Sequence, residues 1–299
     1  MQKLKDSYHT YAAVTIVFWA LALVFTRLLV RVFGTNGLGF LRYLTASVVL
    51  FVVFLMTRMK LPARKDIPWL IASGFFGFFL YMIAFNRGMM IVTAATGSVV
   101  VATVPVMTAI IAAIVYHEKL TLLQWAATVI EFGGVVLLTL LHGALSVNTG
   151  LLWLLLGSVS LSIYNVLQKR LTKTCSALQT TTFSIFAGTV MLSVFAPQAV
   201  RKAAGAPMIA YVYLAILGVG SSALAYVSWT KAYAKAKKTS DVSNYMFLTP
   251  FLTSFLGFFI AGEVPDRATL IGGAVILTGV LIFNFGEKLA EMFRGQQCG

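Results

Sequence analysis

Residues 93–141 read as two apolar helices joined by one short turn, His117-Glu118-Lys119-Leu120. The first helix carries Pro105 near its middle. The second opens at Thr121 with Gln124 three residues on, the capping-box spacing in which each side chain bonds the other residue's backbone N–H. A shift of 145 residues carries Pro105 onto Pro250, Thr108 onto Thr253, Glu118 onto Glu263 and Gly134 onto Gly279. It also carries Ser98 onto Ser243 and Thr121 onto Asp266, another good N-cap residue. A helix–turn–helix that occurs twice constrains the fold more than any single motif, because each copy is one unit of the same architecture.

Composition decides the solvent. The chain is 59% hydrophobic and 11% charged, against roughly a quarter charged in a soluble domain. Apolar runs recur that are long enough to cross a bilayer core as helices. Ten spans are expected, at about 11–32, 37–57, 67–86, 93–116, 122–141, 150–168, 178–196, 208–230, 241–261 and 268–285. The repeat divides the chain near Leu145 into halves 1–145 and 146–299, each with five spans. Five is odd, so the halves enter the membrane in opposite directions. The expected fold is all-α and integral to the membrane: ten transmembrane helices in two inverted five-helix repeats, a plan shared by many secondary transporters.

The net charge of +14 points to topology rather than nucleic acid, because the basic residues sit in short loops between apolar runs. With the N-terminus inside, sixteen Lys and Arg fall on the cytoplasmic side and six on the other. That bias places both termini in the cytoplasm of a multi-pass protein of the cell's inner membrane. The first apolar run is too long for a signal-peptide core and no small-residue cleavage site follows it, so cleavage is not expected. No cofactor or metal is expected. Cys175 and Cys298 have no metal spacing, His9, His117 and His142 lie near membrane boundaries, and no paired carboxylates lie deep in a span. These absences argue against an integral-membrane enzyme. No GxxxxGK[ST] loop is present, which argues against direct ATP drive.

The matched pieces Pro105…His117-Glu118…Gly133-Gly134 and Pro250…Gly262-Glu263…Gly272-Gly273…Gly279 give the chain a family likeness over essentially its whole length. It resembles the drug/metabolite transporter superfamily, in particular its EamA-type members. One motif departs: the first span has Trp19-Ala20-Leu21-Ala22 where many members show Trp-Gly-Ser-Asn. The resemblance implies a small-molecule substrate and a central cavity lined by spans 1, 3, 4, 6, 8 and 9. It implies that spans 5 and 10 pack as scaffold or as the contact of a homodimer. Amino-acid or metabolite efflux is the leading expectation. A carrier of choline-like organic cations is the alternative, with aromatic rings as a cage and Glu131 as counter-charge.

Trp19, Tyr81, Phe85, Tyr164, Trp229 and Tyr245 fall in the implied cavity-lining spans, as does Tyr226. Apolar walls with a few polar tips are typical of small-molecule sites, although aromatic residues near span ends also form interfacial belts. Asn165 and Asn244 offer both donors and acceptors to a zwitterionic ligand; an interhelical hydrogen bond is the competing role. Glu131 is the one carboxylate deep inside a span, on one helical face with Thr121, Gln124 and Thr128. It either binds a cation or a coupling proton, or serves as a protonated link between helices. Its repeat counterpart is Ile276. Arg42, just inside the second span, is a candidate to pair with Glu131 or with a substrate carboxylate, at a distance the sequence does not give. Gating candidates are Pro105 and Pro250, which interrupt spans 4 and 9, and the mouth residues Arg87 and Lys231, whose plainer role is snorkelling. Glu118 and Glu263, next to helix starts, are expected to cap helix ends.

Overall fold

Apolar runs become helices wherever the backbone can bond to itself, because lipid offers nothing else to an N–H or C=O. The computed structural model describes residues 8–116, 120–141, 149–236, 242 and 244–297. Among these, ten helical segments follow one another: α1 (Tyr8–Phe33), α2 (Thr35–Met56), α3 (Arg64–Ile91), α4 (Ala94–Tyr116), α5 (Leu122–Leu141), α6 (Thr149–Leu171), α7 (Ala177–Ala203), α8 (Met208–Lys235), α9 (Thr249–Ala261) and α10 (Arg267–Gln297). Seven of them, α1–α4 and α6–α8, are long and apolar enough to cross a membrane; α5, α9 and α10 contain shorter apolar stretches. Both expected caps form. Thr121 and Gln124 exchange backbone bonds of 2.9 and 3.3 Å at the start of α5. The Asp266 carboxylate accepts the Thr269 N–H at 2.7 Å at the start of α10.

The two prolines depart from expectation in an informative way. Neither sits inside a continuous helix. The path of α4 breaks at Ala102-Thr103, and Pro105 falls in the first turn of the piece Val104–Tyr116. Pro250 falls in the first turn of α9, after a 3₁₀ turn at Asn244–Leu248. Proline lacks the N–H that an interior position must donate, but a first-turn position donates to nothing within the helix. The chain therefore breaks just before each proline instead of bending at it. Two other irregularities overlap under the 145-residue shift. Helices α3 and α8 each contain a π-helical stretch, Phe75–Leu80 and Ile216–Leu224.

Packing follows the same correspondence. Helix α1 lies against α8 and α9, as α6 lies against α3 and α4; α2 lies against α8, as α7 lies against α3. Helices α5 and α10 pack on each other along their length. There Gly134 meets Ile276, and Gly279 meets the backbone of Glu131 and Ala127. These two contacts exchange under the 145-residue shift. Close helix approach over a small residue is how helices associate in lipid, where no hydrophobic drive separates side chain from solvent.

Candidate functional site

A cavity opens between the helices, lined by Trp19, Ala22 and Leu23 of α1, Arg42 of α2, Tyr81 and Phe85 of α3, Val101 of α4, Leu161 of α6, Tyr226 of α8, Met246 and Thr249. Spans 1, 3, 4, 6, 8 and 9 all contribute, and so does α2, which the family resemblance did not include. Tyr81 and Tyr226 are 145 residues apart, and each follows the π-helical stretch of its helix. An extra residue in a turn rotates the side chains beyond it, and such turns recur at functional sites.

The wall is held by ring-on-ring contacts. Trp19 packs against Tyr226 at 5.2 Å and Trp229 at 4.9 Å between ring centroids. Tyr81 stacks on Phe85 at 5.2 Å. Phe78 stands edge-on to Tyr226 and Tyr164. Each such pair contributes about 0.5–1.5 kcal/mol beyond its buried area, enough to keep the rings in place before a ligand arrives.

The residues expected at the site divide into two groups. Trp19, Tyr81 and Phe85 line the cavity. Tyr164, Asn165, Trp229 and Tyr245 do not touch it. Tyr164 is fully buried behind Tyr226, and the reason is Gly77, where a Cβ would lie 2.2 Å from the Tyr164 ring. The missing side chain admits the ring into the α3–α6 contact, while Trp19, its counterpart, faces the cavity. Asn165 donates to the Thr108 hydroxyl at 3.3 Å, an interhelical bond. Trp229 lies one layer behind Trp19, fully buried, with its ring edge-on to Tyr233. Tyr245 is hydrogen-bonded through its hydroxyl to His9 Nδ1. Asn244 opens the 3₁₀ turn, and its side chain lies outside the described residues, as does Glu118.

Glu131 stands apart from the cavity, in the α5–α10 contact. It is fully buried, and neither carboxyl oxygen has a hydrogen-bond partner among the described residues. Its counterpart Ile276 fills the equivalent packing slot, also fully buried. Arg42 does not pair with it: Arg42 Nε donates to Ser222 Oγ at 2.7 Å. Arg87 lies over the Trp153 ring at 4.6 Å, and the exposed Lys231 lies 5.6 Å from the Tyr11 ring. Both are placed as snorkelling anchors would be.

A polar clasp that sequence reasoning missed lies one helical turn beyond Leu23, about 6 Å along α1. Arg27 Nη1 donates to the terminal carbonyls of α3, Met89 O at 3.0 Å and Met90 O at 2.8 Å. Its Nε meets Glu263 Oε1 at 3.3 Å, and Glu263 Oε2 accepts the Ala94 N–H at 2.9 Å. Glu263 is thus an end cap, as expected, but of α4 rather than of the helix that follows it. One ion pair satisfies a helix C-terminus and a helix N-terminus with the signs their dipoles favour.

Relatives of this chain carry the names of transporters. The EamA-like transporter family matches the chain twice, over residues 7–140 and 148–285. The chain is 31% identical over 268 residues to the uncharacterized transporter YdfC of Bacillus subtilis, covering 88% of this chain and 86% of that one. It is 29% identical over 270 residues to the probable terminal-alkyne amino-acid exporter of Streptantibioticus cattleyicolor, covering 90% and 91%. It is 26% identical over 254 residues to the S-adenosylmethionine uptake transporter of Rickettsia bellii, covering 84% of each. One solved crystal structure superposes with a TM-score of 0.61 at 18% identity, covering 93% of this chain and 96% of that one, which shows the fold. A paired set of apolar helices around an aromatic cavity, matched twice by one family, has a single reading: this chain is a multi-pass membrane protein with a transporter role, and it belongs to the EamA-like transporter family.

Proposed function

We propose that the chain is a secondary transporter that moves a small amphipathic organic solute across the cytoplasmic (inner) membrane by alternating access, with amino-acid or metabolite efflux as its task. The working unit is ten membrane-crossing helices in two inverted five-helix halves, 1–145 and 146–299, with both termini in the cytoplasm. One observation carries this reading. The cavity draws its wall from both halves at corresponding positions, Tyr81 and Tyr226, so rocking of one half against the other changes access from both sides of one site. The breaks before Pro105 and Pro250 supply matched points for that motion. Arg87 and Lys231 stand as anchors at the ends of α3 and α8. The exposed outer faces of the helices are for lipid, and a homodimer contact, if formed, belongs to α5 and α10.

The organic-cation reading is less well supported. It has its aromatic rings, but the charge on the wall is Arg42, and Glu131 is elsewhere. The transporter reading is tested by counterflow in proteoliposomes: trapped unlabelled amino acid should drive transient accumulation of the labelled form, blocked by Trp19→Ala. Equal uptake into protein-free vesicles would overturn it.

Glu131 gives a separate prediction. If it fills a packing slot, Glu131→Met removes a buried carboxyl that has no hydrogen-bond partner among the described residues, worth about 1–3 kcal/mol. The variant should then melt higher and keep counterflow at all pH values. A folded variant that has lost pH-dependent transport would assign proton coupling to α5.

A further inference from the structure

Arg42 is a buried guanidinium without a counter-charge. It is 3% exposed, one turn or two inside α2. A charge in that position is expensive and is normally paired. Its one hydrogen bond to protein among the described residues is from Nε to the neutral Ser222 hydroxyl at 2.7 Å, and the Tyr43 ring lies 5.6 Å away. No carboxylate among the described residues is within ion-pair distance of it. A guanidinium carries five N–H donors in a rigid fork. The Ser222 bond uses one. The two Nη groups, with the other four, bond no protein acceptor among the described residues, and the side chain lines the cavity. A membrane-embedded site therefore holds four unfilled donors, of which one from each Nη forms a parallel end-on pair, and one uncompensated positive charge.

We propose that Arg42 is the anchor for a carboxylate on the transported solute, and that the aromatic wall takes an apolar or unsaturated side chain. This rests on the transporter reading and names its substrate class: small organic acids and amino acids with an apolar tail. The fork matches a carboxylate in bidentate geometry. One arginine compensates one negative charge, which favours a carboxylate over a phosphate dianion. The bond to Ser222 fixes the fork by its Nε edge, so α8 aims a residue that belongs to α2. Trp19, Tyr81, Phe85 and Tyr226 provide flat faces, and Ala22, Leu23, Val101 and Leu161 provide an aliphatic floor. An organic cation would meet a like charge in this cavity.

The test uses the full chain purified in nanodiscs, followed by Trp fluorescence, since Trp19 is in the wall, and by thermal shift. The probes are L-propargylglycine, L-phenylalanine, 3-phenylpropionate, L-phenylalanine methyl ester, phenethylamine, phenyl phosphate and choline. At least one free carboxylate should bind, and the ester and phenethylamine should bind about tenfold to a hundredfold more weakly, the factor for losing a charged hydrogen bond. Arg42→Gln should show the same loss for the acid and no change for the ester. Arg42→Lys should recover part of it, because the charge returns without the fork. Should Arg42→Gln fail to fold, the ester and amine arms still decide the matter on the natural sequence. Binding of ester and acid with equal affinity, binding of choline or phenyl phosphate alone, or no carboxylate bound by folded protein would overturn the proposal. Counterflow separates the two claims. Arg42-dependent binding without solute movement would leave the anchor and remove the transporter reading. Movement of amines but not acids would do the reverse.

Discussion

Gly279→Val is expected to prevent the chain from reaching its folded form in useful yield. A Cβ at Gly279 would lie 2.7 Å from the Glu131 backbone nitrogen, 2.9 Å from the Ala127 carbonyl oxygen and 3.0 Å from Glu131 Cα. All three are main-chain atoms of α5, so no rotamer change can relieve the overlap. The helices must separate, and separation forfeits packing along the contact that joins α5 to α10. In lipid that packing has no hydrophobic substitute. The penalty should reach about 3 kcal/mol, the upper end for overpacking. Gly133→Ala is the control, since nothing lies within 4 Å of a Cβ there, and the change should be neutral or slightly stabilising. Fluorescence size-exclusion profiles and melting curves read the difference. A monodisperse Gly279→Val protein that melts with the natural one would remove the α5–α10 contact as a source of stability.

The second large effect is expected at the clasp. Arg27→Ala removes two charge-assisted bonds to the end of α3 and leaves the Glu263 carboxylate with the Ala94 N–H alone. The ion pair itself is partly exposed, with side chains 12% and 21% accessible, so its own attraction is small. The bonds to terminal carbonyls are the larger share, and the loss should come to about 2–3 kcal/mol. Because the clasp ties α1, α3, α4 and the end of α9 one turn beyond Leu23, its loss should also open that end of the cavity. Leu23→Cys, with Cys175 and Cys298 changed to serine, reports this through alkylation by a membrane-impermeant maleimide. Labelling should rise several-fold when Arg27→Ala is added. Unchanged labelling would make the clasp a stability device only. Glu263→Gln should be milder, because an amide oxygen still accepts the Ala94 N–H.

Much of this was determined by sequence alone. The long continuous apolar runs had to be helices, since lipid admits only helices or closed barrels and barrel strands are short and alternating. The caps at Thr121-Gln124 and at Asp266 formed as read, because they depend on residues within four positions of each other. The 145-residue shift fixed which elements correspond, and applied to Tyr81 it finds Tyr226. What the sequence left open were facts of approach between distant helices. Pro105 and Pro250 marked the breaks, but which side of each proline stayed helical was settled by where the next turn could begin. Trp19 and Tyr164 correspond, yet one faces the cavity and the other is buried, because Gly77 happens to lie opposite the second. Glu131 read as either a cation or proton site or a link between helices, and only the tertiary structure places it beside Gly279 in the α5–α10 contact, away from the cavity-lining residues. Arg27 was one of the six basic residues counted on the non-cytoplasmic side, and Arg42 was a residue without a distance to any partner. A single chain position carries the type of a side chain and its local helix. Only the tertiary structure brings Ser222 to Arg42 and Glu263 to Arg27, across 180 and 236 residues, and such contacts decide which charges are paired and which remain available to a ligand.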